Sequence, residues 1–154
     1  MTELWRKPAF RVMGLEGSTE EGSGMVARLW EQANARFAEV AGFAARREDG
    51  SLLGVWGAMT DFARTFQPWE EGFSRGLYLA GVECTADAQP PEGWTCWDVP
   101  GFAYVRVEAD DTAFARGLAL LAAEGLTLQG AVQDYTDPAA GKSWMCFPVE
   151  RLPG

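Results

Sequence analysis

Apolar side chains recur at the helical period in two parts of the chain. From about Met25 to Val40 they return every three or four residues while charged side chains fall elsewhere, which predicts an amphipathic helix. The stretch DDTAFARGLALLAAEG (110–125) predicts a second helix, with an aspartate before its apolar run and Gly125 at its end. Each helix therefore has one apolar face to bury against another layer of the fold.

Seven shorter apolar runs, bounded by glycine, proline or polar residues, predict strands. They are FRVMGLEG (10–17), LLGVWGAM (52–59), RGLYLAGVEC (75–84), WTCWDVP (94–100), GFAYVRVEA (101–109), GAVQDYTD (130–137) and SWMCFPVE (143–150). Between the second and third strands lies TDFARTFQPWEEGFS (60–74), a loop long enough to be a binding loop. Two aromatic residues of this loop, Phe66 and Trp69, are candidates for a lid over a site.

The order strand, helix, strand, strand occurs twice, in about 8–84 and again in about 94–151. Three short sequence matches follow the same order in both parts: FRVMGLEG with FAYVRVEA, GVWGAMTD with GAVQDYTD, and AGVE with FPVE. These observations predict a single α+β domain over 1–154, built from two pseudo-symmetric β-α-β-β modules. The modules are expected to form an antiparallel sheet with the two main helices packed on it and a cleft between the modules.

The charge balance of the chain and its lack of histidine exclude several classes of function. The chain has 13 basic and 22 acidic residues, a net charge of −9, and no histidine. Because an acidic surface repels phosphate groups, direct binding to nucleic acids or to anionic membranes is not expected. Without histidine, catalysis of the Ser-His-Asp or Cys-His type and histidine metal sites are excluded. The seven tryptophans are consistent with a pocket for flat ligands, and neither a metal nor a cofactor is predicted.

The three cysteines, Cys84, Cys96 and Cys146, are far apart in the sequence. Such dispersed thiols are typical of a reducing compartment and do not indicate a disulfide framework or a zinc site. The first ten residues, MTELWRKPAF, contain no long apolar run, so neither a signal peptide nor a membrane span is predicted there. A cytoplasmic location is therefore expected.

Three stretches, YLAGVEC, PPEGWTCWDVPGFAYVRVEA and SWMCFPVE, resemble the GyrI-like small-molecule-binding family. This family comprises the effector-binding domains of AraC- and MerR-type multidrug regulators and their stand-alone relatives. The resemblance extends weakly over nearly the whole chain and is strongest from Gly76 to Val107. It implies a fold of two β-α-β-β modules and a pocket between them for flat, amphipathic and often cationic molecules. The matching positions are Tyr78, Gly81, Val82, Glu83, Pro91, Gly93, Val99, Pro100, Gly101 and Tyr104.

The resemblance also implies a strand of the form E-x-Y whose glutamate faces the pocket. The matching stretch here is VQDY, so Gln133 stands at the position of the glutamate and Tyr135 at that of the tyrosine. An amide offers a cation only a dipole, and selectivity for cations is therefore expected to be weaker unless another acid serves. Asp134 is expected to point to the opposite face of its strand, which leaves Glu83 as the candidate acid.

The candidate ligand-binding residues lie on strands expected to border the cleft. For each aromatic residue among them, packing in the core is the alternative interpretation. Glu83 has three interpretations: an acid in the pocket, a carboxylate paired with an arginine, or a solvated strand end. The candidates are Trp56, Tyr78, Glu83, Trp97, Tyr104, Gln133 and Tyr135.

Three functions are compatible with these features. The first is a stand-alone, non-catalytic protein that senses or sequesters a flat, amphipathic ligand, including a cationic one, with any control of transcription exerted through a separate regulator partner. The second is hydrolysis of electrophilic cyclopropane-containing toxins, which the resemblance implies for some family members; it would require Glu83 as the general base. The third is an acidic protein-binding inhibitor or transcription co-regulator.

Overall fold

The computed structural model describes residues 2–153, which form eight strands and three α-helices. The strands are β1 (Trp5–Lys7), β2 (Phe10–Ser18), β3 (Val55–Thr60), β4 (Leu77–Cys84), β5 (Thr95–Val99), β6 (Phe102–Glu108), β7 (Gln133–Asp137) and β8 (Lys142–Arg151). The helices are α1 (Met25–Ala35), α2 (Glu70–Phe73) and α3 (Ala113–Ala123). Short 3₁₀ turns cover Thr19–Glu21, Phe37–Glu39 and Ala41–Phe43.

All eight strands belong to one curled antiparallel sheet in the order β1-β6-β8-β7-β3-β4-β2-β5. The predicted α+β class and antiparallel sheet are confirmed. The first part of the chain supplies β2, α1, β3 and β4, and the second supplies β6, α3, β7 and β8. β3 pairs with β7 in the middle of the sheet, so the two parts meet there. The structural equivalence of the two parts stays a prediction.

The two long helices pack on one side of the sheet, here called the helix face. α1 packs against β2 and β4, and α3 packs against β6 and β8. Side chains alternate along each strand, so the other residues of the same strands project to the opposite side. That side carries a buried cluster rich in aromatic rings and is called the aromatic face. Its large rings are Trp56, Trp97, Phe102, Tyr104 and Tyr135, with Trp5, Phe10, Phe62, Phe66 and Trp144 packed against them.

Two glycines explain why β4 departs from an ordinary apolar strand. Gly81 of β4 lies opposite Gly14 of β2. A Cβ atom on Gly81 would lie 2.2 Å from the carbonyl oxygen of Met13, and one on Gly14 would lie 2.4 Å from the carbonyl oxygen of Ala80. Because both contacts are with backbone atoms, which cannot rotate away, only glycine allows the two strands to approach this closely.

Several predicted elements differ from those in the structure. The strand β1 was not predicted, because three residues are too few to show an alternating pattern. The first helix ends at Ala35 and not at Val40; the 3₁₀ turns that follow still bury Val40, so the apolar period continues beyond the helix. The strand predicted over 52–59 begins at Val55, and the predicted loop 60–74 contains α2.

Within residues 2–153, no helix is both long enough and apolar enough to cross a membrane.

Candidate functional site

The aromatic face is centred on the pairing of β3 with β7. Trp56 and Tyr135 are opposite each other in register, and their ring centroids are 4.7 Å apart. Trp5, from the edge strand β1, lies over this pair with its ring 5.0 Å from Tyr135 and 6.1 Å from Trp56, in stacked orientations. Its ring is also 5.7 Å from that of Tyr104. The structure therefore brings together three of the predicted site residues, Trp56, Tyr104 and Tyr135. It adds Trp5, which was not predicted as a site residue.

An ion pair lies beside these rings. Nζ of Lys7 is 3.0 Å from Oε1 of Glu83, and the two side chains are only 15% and 8% exposed. The ammonium group of Lys7 also lies over aromatic rings, 4.6 Å from the centroid of Phe10 and 5.9 Å from that of Trp56. Glu83 is thus a buried, paired carboxylate, but its partner is a lysine and not the arginine considered from the sequence.

Two buried polar atoms on the aromatic face have neither a hydrogen-bond partner nor an ion-pair partner within residues 2–153, Nε1 of Trp56 and the hydroxyl oxygen of Tyr104. Both oxygens of the Glu83 carboxylate lie close to Nζ of Lys7, Oε1 at 3.0 Å and Oε2 at 3.2 Å. Burial raises the pKa of Tyr104 above its usual value, so its hydroxyl stays protonated. Since buried polar atoms are nearly always paired in native proteins, these two atoms mark this part of the aromatic face as the candidate site.

Gln133 is fully buried, but its amide is hydrogen-bonded within the sheet. Nε2 donates to the carbonyl oxygens of Met59 and Ala131, both at 3.1 Å, and Oε1 accepts from the backbone N–H of Met59 at 2.7 Å. The side-chain amide thereby replaces a peptide group in the pairing of β7 with β3. Both amide hydrogens are occupied, and this role was not foreseen from the sequence.

Tyr78 lies on the helix face, away from the aromatic cluster around Trp56. Its hydroxyl accepts a hydrogen bond from Nε1 of Trp30 at 2.9 Å and donates one to Oδ2 of Asp134 at 3.2 Å. Gly57 makes room for it, because a Cβ atom there would lie 2.0 Å from the hydroxyl. Burial raises the pKa of Asp134 to about 6, although the hydrogen bond from Tyr78 opposes this change.

The structure also shows which faces of β7 and β4 carry the candidate side chains. Asp134 does point to the face opposite Tyr135, as predicted. Tyr78 and Glu83 lie on opposite faces of β4, so these two candidate residues do not face the same side of the sheet. Their separation of five residues is odd, and in a strand this alone places two side chains on opposite sides.

Removing the hydroxyl of Tyr78 tests the importance of this hydrogen-bonded chain. We expect Tyr78→Phe to lower the free energy of unfolding by about 1–2 kcal/mol, because it leaves Trp30 without an acceptor and Asp134 without a donor. Tyr104→Phe is the matched control: its hydroxyl is equally buried but unpartnered, so we expect little or no loss. Urea denaturation at pH 7.5 measures both, and equal losses in the two variants would contradict this assignment.

Trp97 belongs to the aromatic face but lies in a separate group of contacts. Its Nε1 donates to Oε1 of Glu16 at 2.7 Å, and the same carboxylate receives two hydrogen bonds from Arg64, at 2.8 and 2.7 Å. These bonds, led by the one from Arg64, lower the pKa of Glu16. The ring of Phe66 is 6.0 Å from that of Trp97. Glu16 is therefore a half-buried, paired side chain.

The two candidate lid residues lie on different sides of the sheet. Phe66 packs on the aromatic face, whereas Trp69 packs under α1 and donates from Nε1 to the carbonyl oxygen of Leu77 at 3.0 Å. Placed in this way, they do not form one lid, and a lid role for either stays a prediction.

A recess of about 220 Å³ opens beside the aromatic cluster. It is lined by Glu3, Leu4, Trp5, Arg106 and Trp144. The guanidinium group of Arg106 lies between two indole rings, 4.4 Å from the centroid of Trp5 and 4.7 Å from that of Trp144. The ring of Trp144 in turn stacks on Tyr135 at 5.7 Å. Arg106 and Trp144 were missed from the sequence, although Trp144 shares the strand alternation of Cys146, which faces the same cluster.

A second recess, of about 240 Å³, lies between α1 and the sheet and is lined mainly by apolar side chains such as Met13, Trp30, Phe37 and Trp94. No group of three or more histidine, cysteine, aspartate or glutamate side chains within residues 2–153 is arranged to hold a metal ion.

The fold, one antiparallel sheet with helices on one side, is shared with solved structures. SAV2435 bound to tetraphenylphosphonium has a TM-score of 0.60 at 13% sequence identity, over 97% of this chain and 94% of its own. An integron cassette protein of Vibrio cholerae has a TM-score of 0.52 at 14% identity, over 97% and 95% of the two chains. A putative transcription regulation protein of Staphylococcus aureus MU50 has a TM-score of 0.52 at 13% identity, over 97% and 98%.

No protein-family model matches the chain, and no curated protein matches it. At 13–14% identity the similarity to the solved structures shows the fold alone.

Proposed function

We propose that the protein binds flat, amphipathic small molecules on its aromatic face, against Trp56, Tyr104 and Tyr135. The observation that carries this proposal is the pair of buried, unpartnered polar atoms, Nε1 of Trp56 and the hydroxyl of Tyr104, among aromatic rings beside the carboxylate of Glu83. The rings would supply apolar contact area, and the indole N–H, the hydroxyl and the carboxylate would orient polar groups of the ligand. The position of these rings at the meeting of β3 and β7 also corresponds to a site between two pseudo-symmetric modules.

The likeness to known structures supports a ligand of this kind. SAV2435, which shares the fold, is bound to tetraphenylphosphonium, an aromatic cation. The GyrI-like resemblance of the sequence points to the same class of ligands. The net charge of −9 would attract cations, and Glu83 lies where a cation on the rings would meet a carboxylate. The protein would then sense or sequester the ligand, with any regulation of transcription passing through a separate partner.

Hydrolysis of an electrophilic ligand is less well supported by the same geometry. A general base needs a carboxylate that is free to take a proton from water. Here the ammonium group of Lys7 lies 3.0 Å from Glu83, so the carboxylate is already engaged in an ion pair and is not free to act on a water molecule. We therefore favour binding over hydrolysis.

Titration with tetraphenylphosphonium, followed by tryptophan fluorescence, tests the proposal. We expect saturable quenching in the wild-type protein, and a dissociation constant about tenfold higher in Glu83→Gln, because the amide replaces a carboxylate near the bound cation. Glu31→Gln, at an exposed position of α1, is the control and should bind like the wild-type protein.

Circular dichroism should show that Glu83→Gln is folded before its affinity is compared. Equal dissociation constants in Glu83→Gln and the wild-type protein would remove Glu83 from the site. Absence of any saturable quenching with tetraphenylphosphonium or with a neutral aromatic ligand would overturn the proposed function itself.

A further inference from the structure

The strand β1 lies at the edge of the sheet and pairs with one neighbour, β6. The pairing involves three residues of each strand, with Trp5 opposite Tyr104 and Lys7 opposite Phe102. Three residues paired on one side provide few hydrogen bonds, and short edge segments of this kind are the parts of a fold that open at low cost. β1 can therefore leave the sheet more easily than the central strands.

The side chains of β1 occupy the candidate site. The indole ring of Trp5 covers Trp56 and Tyr135, the rings on which a flat ligand would stack. The ammonium group of Lys7 is held by the carboxylate of Glu83 and lies over the ring of Phe10. An aromatic ring and a positive charge, the two features of an aromatic cation, are thus both supplied by the chain itself.

We infer that β1 is a built-in competitor for the site: Trp5 takes the place of the aromatic part of a ligand, and Lys7 takes the place of its cationic group. A cationic ligand binds by displacing both from the aromatic face. This inference rests on the proposed function. Lys7 would then set the charge preference of the site, because Glu83 is neutralised for as long as Lys7 remains in place.

The unpartnered polar atoms support the view that β1 occupies the site of a ligand without making all of the contacts that a ligand could make. Lys7 lies 3.0 Å from one oxygen of Glu83 and 3.2 Å from the other, so the carboxylate is already paired. The indole N–H of Trp56 and the hydroxyl of Tyr104 lack partners, because Trp5 offers them only an aromatic ring. A ligand that pairs with these atoms gains contacts that β1 does not make, and this difference favours its displacement of β1.

Competition by β1 lowers the apparent affinity for a ligand, because only the fraction of molecules in which the site is open can bind it. Removing the competing charge should therefore strengthen the binding of a cation. For Lys7→Met we expect a dissociation constant for tetraphenylphosphonium about tenfold lower than in the wild-type protein. For triphenylphosphine oxide, a neutral aromatic probe that gains from a more open site but not from the freed carboxylate, we expect a smaller gain, of less than about threefold.

Isothermal titration calorimetry with the full chain provides the measurement, since it does not depend on the tryptophans. The matched control is Arg6→Met, on the same strand: the side chain of Arg6 is 59% exposed and pairs with Glu150 at the surface, so both probes should bind as in the wild-type protein. A second variant, Trp5→Ala, removes the covering ring and keeps the ion pair. We expect it to bind both probes several-fold more tightly.

The outcomes separate the two proposals. If the wild-type protein binds tetraphenylphosphonium, and neither Lys7→Met nor Trp5→Ala binds it more tightly, the competitor role of β1 is wrong while the binding function stands. If Trp5→Ala binds both probes more weakly, Trp5 is a wall of the site and not a competitor. If the wild-type protein and both variants bind neither probe, the proposed function fails, and the inference fails with it.

Discussion

Replacing Gln133 with glutamate is expected to lower the free energy of unfolding by about 3–5 kcal/mol at pH 7.5. The side chain of Gln133 is fully buried, and its Nε2 donates to the carbonyl oxygens of Met59 and Ala131. A carboxylate at this position has no hydrogen to donate and would place a negative charge against both carbonyl oxygens. The two oxygens would lose their donor, and the charge would be buried without a partner.

Denaturation with urea at pH 7.5 and at pH 5 measures this effect. Burial raises the pKa of the introduced carboxyl group, so we expect it to take up a proton as the pH falls and to regain part of the lost stability at pH 5. Gln133→Met is the control of similar size: it loses the same hydrogen bonds without introducing a charge, and its loss should be smaller and independent of pH. A stability of Gln133→Glu equal to that of the wild-type protein would show that the amide is not held in the sheet.

This prediction bears on the family resemblance. The resemblance implies a glutamate that faces the pocket at the position of Gln133. In this chain the amide at that position is occupied by backbone groups of Met59 in β3 and of Ala131, which precedes β7. A carboxylate for a cationic ligand would have to come from elsewhere, and Glu83 is the one that lies beside the aromatic rings.

The elements with a long periodic pattern could be predicted from the sequence. The helix over 110–125 and the seven strands all exist, because amphipathic periods of 2 and 3.6 residues are properties of local sequence. The strand β1 could not be found in this way, since it exists only through pairing with β6, about 100 residues further along. The end of α1 could not be predicted from the sequence either, because the 3₁₀ turns after Ala35 continue the apolar period of the helix.

The clustering of the candidate residues could be predicted only where the alternation of side chains along a strand was enough. Trp56, Tyr104 and Tyr135 were proposed and do lie together on the aromatic face. The ion pair of Lys7 with Glu83 joins residues 76 positions apart, and its formation depends on the register of β1, which local patterns do not contain. The position of Tyr78 is a different case, because its odd separation from Glu83 along β4 was visible in the sequence.

The second large effect concerns Asp134. We expect Asp134→Asn to raise the free energy of unfolding by about 2–3 kcal/mol at pH 8 and to change it little at pH 4. Burial raises the pKa of Asp134 from its usual value of 3.8 to about 6 in the folded protein. A pKa raised by folding means that the folded state holds the proton more tightly, so the wild-type protein loses stability as the pH rises from about 4 to about 6. Each unit of difference corresponds to about 1.4 kcal/mol.

Asparagine removes this loss without removing the hydrogen bond, because its side-chain oxygen still accepts from the hydroxyl of Tyr78. The two proteins should therefore differ most above pH 6, where the wild-type carboxyl group is charged and half-buried, and least at pH 4, where it is protonated. Urea denaturation at several values between pH 4 and pH 8 measures the difference, with Asp111→Asn, at an exposed position, as the control. A difference of the same size at every pH would contradict the assignment of the raised pKa to Asp134, because a change in packing alone carries no proton linkage.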